Sequence, residues 1–164
     1  MTRPPRFMRR GWQRFDRTMH ICDTNVVSYY VDANARTRFP GVCQVVDDIR
    51  AKDGVLTVAA VSVYELRRGL ISQPRALQIQ LEKFIHSCDV LGLDVNNFAG
   101  RDAAARLWGY GRIRKPAITL QEGDLLIAAT AAVHRRQLVT ADAKLADNLL
   151  QIAPLLDVRL LSAA

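Results

Sequence analysis

No apolar run in this 164-residue chain approaches the roughly 18 residues of a membrane span. Residues 1–18 carry arginines but no apolar h-region behind them, so that stretch does not read as a secretory signal. Cysteine is scarce: Cys22, Cys43 and Cys88 are odd in number and form no C-x-x-C pair. That argues against a zinc site or disulfide framework and for reduced thiols in the cytoplasm. His20, His86 and His134 are far apart in sequence and read as surface or core residues rather than metal ligands. There is no Gly-rich phosphate loop, no G-x-S-x-G elbow and no internal repeat, which removes the nucleotide-cradling and serine-hydrolase readings.

What is present is ordinary in bulk: 49% hydrophobic and 24% charged residues, enough for one domain with a real core. The net charge of +7 is unevenly placed. Residues 1–18 hold six arginines against Asp16 alone, which leaves +5 there and +2 on residues 19–164. The expected organisation is a basic extension over 1–18 followed by one folded domain over 19–164. Phe7, Trp12 and Phe15 make the extension a candidate arm for stacking on bases. The alternatives are a disordered tail or an over-long start ahead of Met19. The nearly neutral body is not a basic nucleic-acid clamp.

Short apolar runs alternate with helical periods, which predicts an α/β fold with a parallel sheet covered by helices. Strands are expected at His20–Cys22, Val55–Val58, Val90–Leu93 and Gln137–Thr140, with an edge strand near Val158–Leu161. A helix should start near Val26, capped by Thr24 or Asn25. The spacing of Val42, Val45, Val46 and Ile49 predicts another after Pro40, stopped by Gly54. Further helices are expected at about Ser62–Arg68, closed by Gly69, at Arg75–His86 and at Asn96–Tyr110, with a loop over Gly111–Glu122. From Asp124 to Val133 the sequence is apolar nearly all round, so that helix must be enclosed by protein.

Four acids stand out against apolar surroundings: Asp23 after the first strand, Glu65 in a helix, Asp124 opening the most apolar helix, and Asp142 after the fourth strand. In open parallel sheets, sites lie beyond the carboxyl ends of strands, so Asp23 and Asp142 should share a crevice. Each has a structural alternative. Asp23 and Asp124 suit helix caps, Glu65 could pair with Arg68, and Asp142 could hold a turn. Gathered together, the four would repel one another, and a hard divalent cation such as Mg²⁺ or Mn²⁺ would relieve that. Carboxylates around such ions suit phosphodiester hydrolysis.

The order of these blocks carries a resemblance. Asp23-Thr24-Asn25-Val26-Val27-Ser28, Val63-Tyr64-Glu65-Leu66-Arg67-Arg68-Gly69, Asp124-Leu125-Leu126-Ile127-Ala128-Ala129-Thr130-Ala131 and Leu138-Val139-Thr140-Ala141-Asp142 together resemble the PIN-domain nucleases, specifically VapC-type toxins of bacterial toxin–antitoxin systems. The resemblance spans about Met19 to Leu150. It implies an α/β/α sandwich around a parallel sheet and a Mg²⁺- or Mn²⁺-dependent endoribonuclease. Asp23, Glu65, Asp124 and Asp142 would be catalytic, with Asp23, Asp124 and Asp142 on the metal, and Asn25 and Thr140 supporting them by hydrogen bonds. It also implies a homodimer, a cognate antitoxin, no membrane partner, and cleavage of a structured RNA such as transfer RNA that halts translation. The chain departs from the family in residues 1–18 and after Asp142, where the usual aromatic is missing and Asp147 is a second candidate for the fourth acid. Glu122, before Gly123, reads as a solvated loop residue.

With a nearly neutral body, RNA would need local charge. Arg67, Arg68, Arg112, Arg114 and Lys115 flank the acids in sequence and are candidates for phosphate contacts; a solubilising surface is the alternative. A competing function is a catalytically inactive RNA- or protein-binding module, whose signature would be a lost acid. None is lost. A phosphoryl-accepting receiver domain would need an acidic pair at the first strand, where Cys22-Asp23 stands instead.

Overall fold

The three residues His20, Ile21 and Cys22 are buried without exception, and that fixes their strand, β1 (His20–Cys22), at the centre of the molecule. The computed structural model describes residues 19–93 and 98–162. The arginine-rich segment 1–18, with its three aromatics, lies outside them. β1 is flanked by β2 (Leu56–Ala59) and β4 (Gln137–Thr140), and the sheet is completed by β3 (Cys88–Leu91) and β5 (Val158–Leu160). The order is β3-β2-β1-β4-β5, with every pairing parallel. β5 is an edge, as its sequence suggested. β3 is set two residues earlier than its apolar run implied, because its register on β2 pairs Leu56 with Cys88 and Ala59 with Leu91.

Eight helices connect the strands among the described residues: α1 (Thr24–Val31), α2 (Ala35–Arg38), α3 (Pro40–Asp53), α4 (Ala60–Leu70), α5 (Arg75–His86), α6 (Phe98–Arg112), α7 (Glu122–Val133) and α8 (Ala143–Ile152). α3 begins on Pro40 and ends where Gly54 adopts φ 79°, the left-handed cap its glycine allows. Gly69 does not close α4. The helix continues to Leu70, and Gly54 is the positive-φ glycine of the described residues. Asn96, expected to open α6, lies outside the described residues.

Successive side chains of a strand face opposite ways, and two packed layers form as a result. Ile21 and Leu138 point to one side, against Leu107, Ile127 and Leu149 of α6, α7 and α8. Cys22 and Val139 point to the other, against Val27, Val46 and Leu66 of α1, α3 and α4. The architecture is therefore a three-layer α/β/α sandwich. Ile127 to Ala131 of α7 are buried consecutively, which is the enclosure an all-round apolar helix requires. No helix of the described residues is long and apolar enough to cross a membrane.

Candidate active site

The register of β1 on β4 pairs Cys22 with Val139, so the next step along both strands sets Asp23 beside Thr140. There the main-chain N–H of Asp23 donates to the carbonyl of Val139 at 2.9 Å, and the Asp23 side chain is 3% exposed. One carboxylate oxygen accepts the Thr24 N–H at 2.6 Å, capping α1; the other accepts the Thr140 hydroxyl at 2.7 Å. Thr140 Oγ1 in turn accepts the N–H of Asp142 at 3.0 Å. Asn25 ties the same corner: its Oδ1 accepts the Ala141 N–H at 3.1 Å, and its Nδ2 reaches Thr140 Oγ1 at 3.4 Å. Asn25 and Thr140 thus brace the ends of β1 and β4 around Asp23.

Glu65, on α4, is held by the hydroxyl of Thr24, which donates to its Oε2 at 2.5 Å. The alternative ion pair with Arg68 is not made; Arg68 lies over the ring of Tyr64 at 5.6 Å. Thr24 is a site residue missed in the sequence, where it served only as a candidate cap. Asp124 lies in the first turn of α7, and Glu122, that helix's first residue, is exposed. Asp142 caps α8 through Oδ1, which accepts the Leu145 N–H at 3.0 Å, a helix cap in place of the turn expected of it.

The charges of the four acids act on one another. Burial raises the Asp124 carboxyl to about 6, with the charges of Asp23, Asp142 and Glu65 adding to it. Burial raises Asp23 as well; the hydrogen bonds from Thr140 and Thr24 pull it down, and Glu65 and Asp142 push it up. Asp142, not Asp147, acts on both. Asp147 is exposed on α8, where its carbonyl accepts from Gln151.

Among the described residues, no three acids converge on one point as the ligands of a bound ion would. The donor set is nonetheless that of a hard divalent cation: four carboxylates, each from a different element, with no nitrogen or sulfur between them. Their mutual repulsion is what such an ion would neutralise, and the residues fit it on that ground. The three histidines stand elsewhere. His20 pairs with Asp53, His86 with the Glu82 carbonyl and His134 with the Gly92 carbonyl.

The basic candidates divide. Arg67 is taken up by Glu82 of α5, with Nε and a terminal nitrogen each 2.8 Å from a carboxylate oxygen. That ion pair is exposed and uses two of the five guanidinium N–H groups. Arg112 ends α6 rather than lying in a loop, and covers the ring of the half-exposed Trp108 at 5.4 Å. Arg114 donates to the Gln151 carbonyl, and Lys115 is exposed.

The family model of the PIN domain matches residues 21–148. Among solved structures, the chain is similar to one in VapBC2 from Rickettsia felis bound to a promoter DNA fragment, at 18% identity, 87% coverage of this chain, 98% of that one and a TM-score of 0.64. FitAcB from Neisseria gonorrhoeae gives 20% identity, 86% and 96% coverage and a TM-score of 0.62. VapBC-5 from Mycobacterium tuberculosis, a member of the VapBC family of toxin-antitoxin systems, gives 22%, 86%, 97% and 0.54. No curated protein matches. At these identities the structural likenesses speak for the fold. The family model covers most of the chain and contains all four acids, so the chain belongs to the PIN-domain family.

Proposed function

We propose that this chain is a Mg²⁺- or Mn²⁺-dependent endoribonuclease and the toxin of a toxin–antitoxin pair. The observation that supports it most is the buried Asp23 at the carboxyl edge of a parallel sheet, within electrostatic reach of Glu65, Asp124 and Asp142. Bound at this edge, a divalent ion supplies a Lewis acid for the phosphate and a lowered pKa for water. Asp23, Asp124 and Asp142 are the residues to hold it. Asn25 and Thr140 keep Asp23 and the start of α8 in register, which limits how far these ligands must move to meet an ion. Glu65, held by the Thr24 hydroxyl, is the residue we assign to accept a proton from the attacking water.

RNA is the substrate class this reading favours, and a structured RNA such as a transfer RNA, whose cleavage stops translation, is the specific form. Between Asp102 and Glu122 there is no acidic side chain, while Arg112, Arg114 and Lys115 lie there. These three side chains precede α7 and Asp124 in the chain and give salt-dependent grip on phosphates. The structural neighbours named in toxin–antitoxin complexes support a cognate antitoxin as partner, and the family resemblance supports a homodimer.

The test compares wild type with Asp23→Asn and Asp124→Asn for Mg²⁺-dependent cleavage of total cellular RNA. A contribution of several kcal/mol from the metal predicts at least about a 10²-fold loss in each. Folded variants that cut at the wild-type rate overturn the proposal.

A further inference from the structure

Gly123 is the second residue of α7 and precedes Asp124. It occupies no turn, and its φ is not positive. A glycine in a helix is less favourable than alanine, so its presence there asks for a reason. The reason is steric. A Cβ built on Gly123 would run into Oε1 of Glu65, with Glu65 Cδ only 3.1 Å away. The other oxygen of that carboxylate accepts the Thr24 hydroxyl. Glu65 is therefore seated between a hydroxyl on α1 and a bare backbone on α7. The helical glycines Gly69 and Gly109 show no such approach; a Cβ on either meets nothing within 4 Å.

We infer that Gly123 is a positioning residue, whose missing side chain forms the seat that holds the Glu65 carboxylate beside Asp124. The inference rests on the nuclease reading for its functional meaning and on sterics for its geometry. Glu65 is the far end of a flexible side chain, so an added methyl displaces that carboxylate rather than unfolding the helix. The cost should fall on chemistry. Displacing a proton-accepting group by about 1 Å is enough for about a 10²-fold loss.

Two measurements test it. In the first, Gly123→Ala should lower kcat for RNA by about 10²-fold with KM little changed, while Gly109→Ala leaves both alone. The second needs no activity: a melting cycle on metal-free protein. Gly123→Ala should raise Tm by about 2–4 °C in a Glu65→Ala background, where the helix gain is unopposed, and by clearly less in wild type. Equal Tm changes in the two backgrounds, or a Gly123→Ala enzyme with wild-type kcat, overturn the inference. A wild-type chain that cuts no RNA refutes the nuclease reading instead, and the melting cycle still decides whether the seat exists.

Discussion

The two ends of strand β1 bury acids in opposite circumstances. At its start His20 is 4% exposed, and its Nδ1 lies 2.8 Å from Asp53 Oδ2, which also accepts the His20 main-chain N–H at 3.0 Å. Just past its end Asp23 is equally buried, yet among the described residues no basic side chain pairs with it. Hydrogen bonds from Thr24 and Thr140 compensate only part of its charge, and Glu65 and Asp142 work against it. A buried acid with its own partner is a structural feature, closed on itself. A buried acid whose charge is opposed by other acids is, on the reading proposed above, a place for a cation.

The contrast can be broken from either end. The largest effect should come from Asp53→Ala, which strips two buried donors of His20 of their acceptor, at about 1–3 kcal/mol each. Thermal melting should show a marked fall in Tm, while RNA cleavage per folded molecule stays at wild type. A variant that melts like wild type would mean that the His20 end contributes nothing to stability.

Thr140→Val probes the other end with almost no change of shape. Loss of the hydroxyl that holds Asp23 should weaken Mg²⁺ or Mn²⁺ binding by about 10–100-fold, as measured by calorimetry. Unchanged metal affinity would show that the brace is dispensable and that the Asp23 end is organised by something else.

The smallest effect is one of pH. Asp124 is held at about 6, above its ordinary value of 3.8, so its contribution to stability is fully present below about 3.8 and is lost as pH rises through about 6. In metal-free protein, Asp124→Asn should therefore melt higher than wild type above pH 6 and nearly with it at pH 4. Saturating Mg²⁺ should stabilise wild type and not the variant. A Tm difference that is the same at both pH values would remove the electrostatic half of the comparison.

Much of this molecule was legible along the chain, and the reasons are local. β1, β4 and α5 have the bounds that their apolar runs and periods predicted, and Gly54 stops α3. α8 was not among the elements the sequence predicted, although Leu145, Leu149 and Ile152 carry helical spacing over its ten residues. α2 is a single turn whose buried residue is Ala35, too little signal for any periodicity. Gly69 misled because glycine permits a helix to end without requiring it, and α4 continues as long as its packing face does.

What the sequence determined by itself was the inventory: which segments are apolar enough to be strands and helices, and which four acids interrupt them. Hydrophobic periodicity and capping depend on neighbours a few residues away, so they are written locally. Partnership is not. The strand order set Thr140 beside Asp23 across 117 positions, α4 turned Glu65 toward Thr24 rather than Arg68, and α5 claimed Arg67. Only the packed structure decided these, because a side chain's partner depends on which elements lie against it. Gly123 is the clearest case: in the sequence it is one more glycine before an acid, and in the fold it is the space that Glu65 occupies.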